Sequence, residues 1–256
     1  PAYEVSHLYE VPVYDSLDDL LADADAVSIV TPTPTHLQII QKCVKHGVNF
    51  LVEKPVIDSM DHAESLLKLT NHSHLTFQVG HIERFNPTYV ELKHVLENQK
   101  VFAINFQRLS PYRVSNKDID VVLDLMVHDL DLCNDLMESE PAAINAYGIN
   151  PFSETLDHLV AQLIYSTGQV ITLTASRITE QKVRMVQVTA EDAFIEADFL
   201  NKSICIHRCS TGEYASNTSH EVKYHQESLV QHIMVPSAEP LALEIKHFLQ
   251  CICQGC

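Results

Sequence analysis

The amino-acid sequence predicts an α/β protein, in which a Rossmann-like parallel sheet, incomplete at its N-terminus, precedes an α+β domain with a large, mostly antiparallel sheet. Two patterns favour this fold class. Apolar strands and amphipathic helices alternate with short links over residues 15–80, which is typical of a doubly wound sheet. From residue 101 onward, strand patterns dominate. The 256 residues, of which 46% are hydrophobic, are enough to bury one or two cores.

Three short apolar segments in the first part of the chain are typical of buried strands. They cover residues 26–30, 48–52 and 76–79. Helices are predicted beside them over residues 15–21, 36–46 and 59–71. Asp15 and Ser16 are capping residues at the start of the first helix, and Gly47 is a usual helix terminator. Ligands of such sheets bind at the carboxyl ends of the strands, which here are Thr31, Glu53 and Gly80.

The second part of the chain is predicted to form the antiparallel sheet. Its strands are expected over residues 102–109, 143–148, 159–165, 170–175, 183–190, 194–198 and 203–208. A predicted helix over residues 87–99 lies at the domain boundary. We therefore expect a partial dinucleotide-binding domain over residues 1–90 and an α+β domain over residues 91–256.

Charge and composition argue against several classes of protein. Seventeen basic against 34 acidic residues give a net charge of −17, which repels nucleic acid. No apolar stretch reaches the roughly 20 residues that a membrane span needs, and no signal segment opens the chain. Seven cysteines, an odd number, fit reduced thiols. We expect a cytoplasmic protein with neither nucleic-acid nor membrane partners.

Two groups of residues resemble metal sites. Cys251, Cys253 and Cys256 have a spacing similar to that of a zinc site, but the sequence offers no second ligand pair nearby. The helical pattern over residues 241–249 also puts Cys251 on the apolar side of a helix. His128 and the two acids after it are too close together on a regular helix to converge on one ion. No metal is predicted.

Glu53-Lys54-Pro55 follows directly after the second strand of the parallel sheet. A charged residue at that end of a strand faces the ligand crevice rather than the core. A lysine there can hold a substrate hydroxyl, or carry its proton if desolvation lowers the pKa of the amine. The alternative is a solvated surface lysine. The strand before it and the proline after it favour the functional interpretation.

Asp124 and His128 are four residues apart, which places a carboxylate and an imidazole one turn apart on one helix face. The carboxylate can fix the imidazole tautomer or share its proton, as a base that deprotonates a hydroxyl requires. By itself, such a pair is more often a structural hydrogen bond. It indicates catalysis only in combination with other motifs.

Two loops beside the strand ends are further candidates. In residues 31–36, hydroxyls and free helix N–H groups can meet the phosphates or ribose of a dinucleotide, and plain helix capping by Thr33 or Thr35 is compatible with that role. Residues 80–87 can bind a phosphate-bearing substrate through Arg84, or can simply link two domains. The arginines available to converge on an anion are Arg84, Arg108, Arg113, Arg177 and Arg184.

Taken in order and spacing, these four motifs resemble the Gfo/Idh/MocA family of glucose–fructose oxidoreductases and inositol dehydrogenases. They are residues 31–36, Glu53-Lys54-Pro55, residues 80–87, and Asp124 with His128. Within the family, the chain looks most like the bacterial members that oxidise UDP-N-acetylglucosamine. That narrower likeness rests on residues 80–87, 121–129, 174–177 and 182–184.

The resemblance implies an NAD- or NADP-dependent oxidoreductase that oxidises a sugar hydroxyl by transfer of hydride from its carbon, with a nucleotide sugar as the expected substrate. Lys54, Asp124 and His128 would be catalytic: Lys54 or His128 would take the hydroxyl proton, and Asp124 would orient that base. The cofactor pocket would be lined by Thr31, Pro32, Thr33, His36, Glu53 and Lys54. The substrate would contact His81, Arg84, Asn86 and Arg177.

The sequence departs from the family pattern at its start. The glycine-rich turn that usually seats the pyrophosphate is absent, since no G-x-G-x-x-G occurs. We therefore expect the chain to be incomplete, lacking a βαβ unit of roughly thirty or more residues. The residue that separates NAD from NADP follows the second strand, in that missing part.

Two alternatives and one assembly state also follow. The chain can instead be a non-catalytic sugar- or nucleotide-binding regulatory protein of the same fold, or a dehydrogenase of a free sugar or cyclitol. Relatives pair their subunits through the outer face of the second sheet. Residues 91–256 are therefore expected to bind the substrate and to form a homodimer or homotetramer.

Overall fold

The computed structural model describes residues 2–57, 59–71, 73–112, 119–215 and 222–255. They fall into two compact units. The first unit consists of Pro1–His81 with Ala242–Cys256, and the second consists of Ile82–Leu241. The functional division at residues 90 and 91 stays a prediction, because compactness alone does not assign a function to either part.

The described residues include eleven strands and seven α-helices. The strands are β1 (Ala26–Ile29), β2 (Asn49–Glu53), β3 (Phe77–Gly80), β4 (Val101–Leu109), β5 (Ala143–Ile149), β6 (His158–Ile164), β7 (Val170–Ser176), β8 (Val183–Ala190), β9 (Phe194–Asp198), β10 (Ser203–Ala215) and β11 (Val222–Ile233). The helices are α1 (Ala2–Tyr9), α2 (Leu17–Asp23), α3 (His36–His46), α4 (Met60–Thr70), α5 (Pro87–Leu96), α6 (Val127–Met137) and α7 (Pro240–Gln254).

The first unit contains a parallel sheet with the strand order β1–β2–β3. The capping prediction for α2 is confirmed, because the Ser16 hydroxyl accepts a hydrogen bond from the Asp19 N–H at 3.1 Å. Apolar side chains of the strands and of α2, α3 and α4 form the core of this unit. They include Leu21, Ile29, Ile40, Phe50, Val52 and Leu66. The sheet confirms the predicted Rossmann-like arrangement.

The second unit contains an eight-stranded sheet with the order β11–β10–β9–β8–β4–β7–β6–β5. Only β4 and β7 pair in parallel; the other neighbours are antiparallel, as predicted. Side chains of α5 and α6 and of one sheet face form its core. They include Tyr89, Leu92, Phe106, Leu132, Leu173 and Ile195. β11 was not predicted, and β10 extends seven residues beyond its predicted end at residue 208.

The outermost strand β5 is exposed along its whole length. Ile144 and Tyr147 on this strand are 63% and 80% exposed. Apolar side chains on an outer strand are a suitable surface for subunit pairing. The homodimer or homotetramer itself stays a prediction. Within the ranges described, no helix is long and apolar enough to cross a membrane.

Gly47 ends α3 in the left-handed conformation, with a φ of 73°, and its N–H bonds the carbonyls of Cys43 and Val44. A methyl group added at Gly47 would meet nothing within 4 Å, so backbone strain is the only cost of adding it. We expect Gly47→Ala to lower the free energy of unfolding in urea by about 1 kcal/mol. Lys45→Ala, on the exposed side of the same helix, should leave it unchanged. Equal stability of the two variants would contradict this account.

Candidate active site

Polar residues collect where the parallel strands of the first unit end. β2 ends at Glu53, and Lys54 follows it directly; the Lys54–Pro55 peptide bond is cis. In the sheet register, Glu53 lies opposite Gly80 at the end of β3. The Glu53 carboxylate packs so closely on Gly80 that a Cβ atom there would lie 3.3 Å from its Oε2. A side chain at residue 80 would therefore press on Glu53 by a few tenths of an ångström.

The loop after β1 is held by internal hydrogen bonds. The Thr35 hydroxyl lies 2.8 Å from both the Thr31 hydroxyl and the Pro32 carbonyl, and residues Thr33–Thr35 form one turn of 3₁₀-helix. The buried His36 ring lies 2.7 Å from the Thr31 carbonyl through Nε2 and 3.2 Å from the Pro55 carbonyl through Nδ1. His36 therefore ties this loop to the segment that follows Lys54.

The predicted cofactor residues are all in the first unit, at the carboxyl ends of β1 and β2. The structure brings residues 31–36 together with the Glu53-Lys54-Pro55 segment through His36. His36 uses both ring nitrogens on backbone carbonyls, which is a supporting role. Direct contact of Thr31, Pro32, Thr33, His36, Glu53 and Lys54 with a cofactor stays a prediction.

Asp124 and His128 lie in the second unit, on consecutive helical segments. Asp124 is in a π-helical turn, Val122–Met126, and His128 is in the first turn of α6. The π-turn is a finding that the four-residue spacing did not predict, because the spacing assumed a regular α-helix. Single π-turns inside helices are frequent at functional sites. The catalytic roles of Lys54, Asp124 and His128 stay predictions.

A cavity of about 210 Å³ opens beside Asp124 within the second unit. Its lining consists of Ser110, Pro111, Asp124, Leu125, Arg177, Lys182 and Arg184. The Arg184 guanidinium donates to the Leu109 and Val183 carbonyls at 2.6 and 2.7 Å and to the Ser110 hydroxyl at 3.0 Å. None of these partners is charged.

Arg184 and Lys182 are thus cations without an ion pair among the residues that the structure describes. Burial, with help from the Arg108 guanidinium, lowers the pKa of Arg184 to about 10, so the side chain still carries its charge at neutral pH. Arg184 was predicted only as one of several arginines that could meet an anion, and Lys182 only as part of the 182–184 stretch that carries the family resemblance. Arg113 lies outside the described residues.

The two arginines predicted to bind substrate have carboxylate partners inside the second unit. Arg84 pairs with Asp131 at 2.7 Å and with Asp135 at 3.3 Å. Arg177, which also lines the cavity, pairs with the buried Asp157 at 2.8 Å. Both arginines therefore form ion pairs within the second unit. Their contact with substrate stays a prediction.

The other two predicted substrate residues are in the loop between β3 and α5. Asn86 caps α5, since its side-chain oxygen accepts from the Thr88 N–H at 3.0 Å, and its amide donates to Glu83 at 3.0 Å. His81 is half-buried beside Gly80. Substrate contacts of His81 and Asn86 also stay predictions.

A buried ionic network fixes the start of α6. The Arg108 side chain, 4% exposed, pairs with Asp129 at 2.7 Å and with Glu83 at 2.8 Å. Burial alone would raise the pKa of Glu83, but the Arg108 guanidinium reverses this and lowers it. Because Asp129 follows His128 directly, Arg108 links β4 and the loop before α5 to the helix turn that carries His128. The sequence did not indicate this network.

No group of three or more His, Cys, Asp or Glu side chains forms a metal-binding arrangement in the part of the chain that the structure describes. Cys251 is on α7, with its sulfur 3.8 Å from His247 Nε2. Cys256 lies outside the described residues, so the spacing of the three C-terminal cysteines is not tested as a set.

Comparison with known proteins places the chain in a family. Residues 1–81 match the Gfo/Idh/MocA oxidoreductase family with an NAD-binding Rossmann fold. Residues 103–196 match the C-terminal domain of the same family. Both parts of the chain therefore match domains of one kind of enzyme.

Individual relatives agree with this assignment. UDP-N-acetylglucosamine 3-dehydrogenase of Acidithiobacillus ferrooxidans is 34% identical over 211 residues, which is 82% of this chain and 67% of the relative. A solved structure of that enzyme has a TM-score of 0.87 and 31% identity over 99% of this chain and 78% of its own. The scyllo-inositol 2-dehydrogenase (NAD(+)) of Bacillus subtilis is 23% identical over 94% of this chain and 71% of the relative.

These matches confirm the predicted fold, the nicotinamide cofactor and the enzyme class. The chain belongs to the Gfo/Idh/MocA family of NAD-binding oxidoreductases.

Proposed function

We propose that the protein oxidises a hydroxyl of a nucleotide sugar, with UDP-N-acetylglucosamine as the expected substrate and NAD as the hydride acceptor. The observation that carries this proposal is the cavity beside Asp124, in which Arg184 and Lys182 have no carboxylate partner among the described residues. A diphosphate could form the direct ion pairs that these two cations do not make with the described residues, in a cavity that Asp124 also lines. The similarity to UDP-N-acetylglucosamine 3-dehydrogenase supports the same substrate.

The donor set at the strand ends of the first unit fits a nicotinamide dinucleotide. The Thr31 and Thr33 hydroxyls and the Glu53 carboxylate can bond ribose hydroxyls or the nicotinamide amide. Gly80 leaves room for the Glu53 side chain at that point, because a Cβ atom there would lie only 3.3 Å from the Glu53 carboxylate. When bound there, NAD would supply the acceptor for the hydride of the sugar carbon.

The chain must supply a base, because a hydroxyl that loses hydride from its carbon must also lose its proton. Lys54 and His128 are the two groups proposed for this step. A desolvated lysine amine can take the proton, and so can a neutral imidazole. Asp124 would orient the base and hold the positive charge that the proton leaves on it. The π-turn around Asp124 supports a functional role for this residue.

A free sugar or cyclitol is the second candidate substrate. The observation in its favour is the match to an NAD-dependent scyllo-inositol 2-dehydrogenase over 94% of this chain. A cyclitol carries no phosphate, so it would leave Arg184 and Lys182 without an anion. The two candidates therefore differ in how strongly the reaction depends on Arg184.

We expect Arg184→Gln to raise the KM for UDP-N-acetylglucosamine by about tenfold or more, since a hydrogen bond to a charged group contributes about 1.5–3 kcal/mol. The KM for NAD should not change. The test is steady-state formation of reduced nicotinamide by the protein expressed from its complete natural reading frame. N-acetylglucosamine and myo-inositol serve as substrates without phosphate, and Arg208→Gln serves as the matched arginine variant. Faster turnover of myo-inositol, insensitive to Arg184→Gln, would refute the nucleotide-sugar proposal.

A further inference from the structure

Glu244 is a buried carboxylic acid in the first unit that the reaction as described does not use. It lies on α7 and is 0% exposed. Neither of its carboxyl oxygens has a hydrogen-bond partner among the described residues. A carboxylate that is buried without a partner is costly, whereas the neutral acid is much less so. The site therefore favours the protonated form.

The side chain lies near the end of β2. The Glu53 charge acts on Glu244 and, together with burial, raises the pKa of Glu244 to about 7, with burial the larger cause. α7 also contacts β3 through Gln78. The Gln78 side-chain nitrogen lies 3.5 Å from the Glu244 backbone carbonyl, and Gln78 Oε1 lies 3.0 Å from His247 Nδ1. Gln78 and Gly80 point to the same face of β3, and Glu53 packs on Gly80.

Among the groups around Glu244, Glu53 is the acid whose charge opposes the ionisation of Glu244. Glu53 comes from β2, and β3 contributes the uncharged Gln78. On α7 itself, His247 bonds Gln78 and lies 3.8 Å from the Cys251 sulfur. The Glu53 charge opposes a second charge on Glu244, so the two carboxylates repel one another when both are ionised.

We propose that Glu244 is a positioning residue for the Glu53-Lys54 segment: its neutral carboxyl lets the Glu53 carboxylate keep its charge and its place against Gly80. This inference rests on the proposed cofactor role of Glu53. When Glu244 loses its proton, repulsion displaces Glu53 and weakens the pocket that receives the cofactor. Cofactor affinity should therefore fall as the pH rises through the range in which Glu244 ionises.

The same titration affects folding. An unfolded glutamate has the lower, ordinary pKa, so between that value and about 7 the folded protein binds the extra proton. The stability that this proton contributes is fully present at low pH and is lost as the pH rises to about 7. Glu244→Gln keeps a neutral group of the same shape at every pH and should remove this part of the pH dependence.

The test uses NAD titration calorimetry on the full natural protein between about pH 6 and about pH 8.5, with the apoprotein unfolding temperature measured over the same range. In the wild type, the Kd for NAD should rise about tenfold, which corresponds to about one pKa unit of repulsion. In Glu244→Gln, the Kd should stay at the low-pH value of the wild type. Glu239→Gln, an exposed acid just before α7, is the matched control and should titrate like the wild type.

Each outcome decides the inference. Identical Kd profiles in the wild type and in Glu244→Gln would overturn it. A pH effect on the unfolding temperature alone, with a constant Kd, would reduce Glu244 to a structural residue and would also overturn it. Neither readout uses a sugar, so a wrong substrate would show up separately, as normal NAD binding by a protein that does not oxidise UDP-N-acetylglucosamine.

Discussion

Lys54→Met is expected to lower kcat for NAD reduction by about 10²- to 10⁴-fold, the range that a positioned acid–base group contributes. Methionine retains a comparably long, flexible apolar side chain but cannot take a proton or hold a hydroxyl by charge. Lys54 follows the last residue of β2, where a parallel sheet presents its ligand-binding end. The measurement is the initial rate of reduced nicotinamide formation at saturating NAD and sugar.

Lys45→Met is the control for this prediction, because Lys45 is an exposed lysine in the last turn of α3. It should leave kcat within about twofold of the wild type, as surface substitutions usually do. A normal kcat in Lys54→Met would remove Lys54 from the catalytic centre. It would leave His128 as the base, with a His128→Asn variant as the next measurement.

Arg108→Met is expected to destabilise the second unit by about 3–5 kcal/mol, because it leaves the buried Asp129 and the half-buried Glu83 without their counter-charge. The loss should appear in urea unfolding followed by circular dichroism. If Arg108 also positions the helix turn around His128, kcat should fall under conditions where the variant is still folded. Arg108→Lys should recover only part of the stability, since an ammonium cannot make the bidentate contact.

The matched control is Lys100→Met, which removes an exposed ion pair of the same unit, with Glu191 at 2.8 Å. Surface pairs contribute about 0–1 kcal/mol, so this variant should unfold almost like the wild type. A second variant, Arg108→Met with Asp129→Asn, should be more stable than Arg108→Met alone because it removes one stranded charge. Equal losses in Arg108→Met and Lys100→Met would show that the buried network does not stabilise the unit.

The parallel sheet could be predicted because its signals are local. The strand segments are continuous apolar runs, Ser16 caps α2, and Gly47 is the left-handed residue that ends α3. The positions of the carboxyl ends of the strands could then be inferred from the order of strands and helices along the chain. The predicted clustering of residues 31–36 with Glu53-Lys54-Pro55 agrees with the bonds that His36 makes to both segments.

What the sequence did not indicate depends on contacts between distant residues. Arg84 meets Asp131, which is 47 residues away, and Arg108 meets Asp129, which is 21 residues away. No spacing rule connects such pairs. The sequence therefore could not separate the ion-paired Arg84 and Arg177, which were expected to bind substrate, from Arg184, which has no ion pair among the described residues. The π-turn around Asp124 was missed because its sequence is as apolar as that of an ordinary helix.

One missed residue did leave a signal. Glu244 and Phe248 are four apart and are the two buried residues of α7. A charged residue at a core position of an amphipathic helix is rarely buried without a reason. The sequence signal for the strand β11 is weaker than the signal for Glu244. Its sequence is rich in histidine, glutamine and glutamate, which obscure the apolar pattern of a strand.

The most direct measurement of the central claim follows the hydride itself. UDP-N-acetylglucosamine carrying deuterium at carbon 3 of the sugar, the position named for the similar 3-dehydrogenase, would be incubated with NAD and the protein. Mass spectrometry of the reduced cofactor should show the deuterium transferred to the nicotinamide ring, and Arg184→Gln should require more substrate for the same transfer. Reduced cofactor without the label, or no reduced cofactor despite normal NAD binding, would contradict the assignment of this substrate.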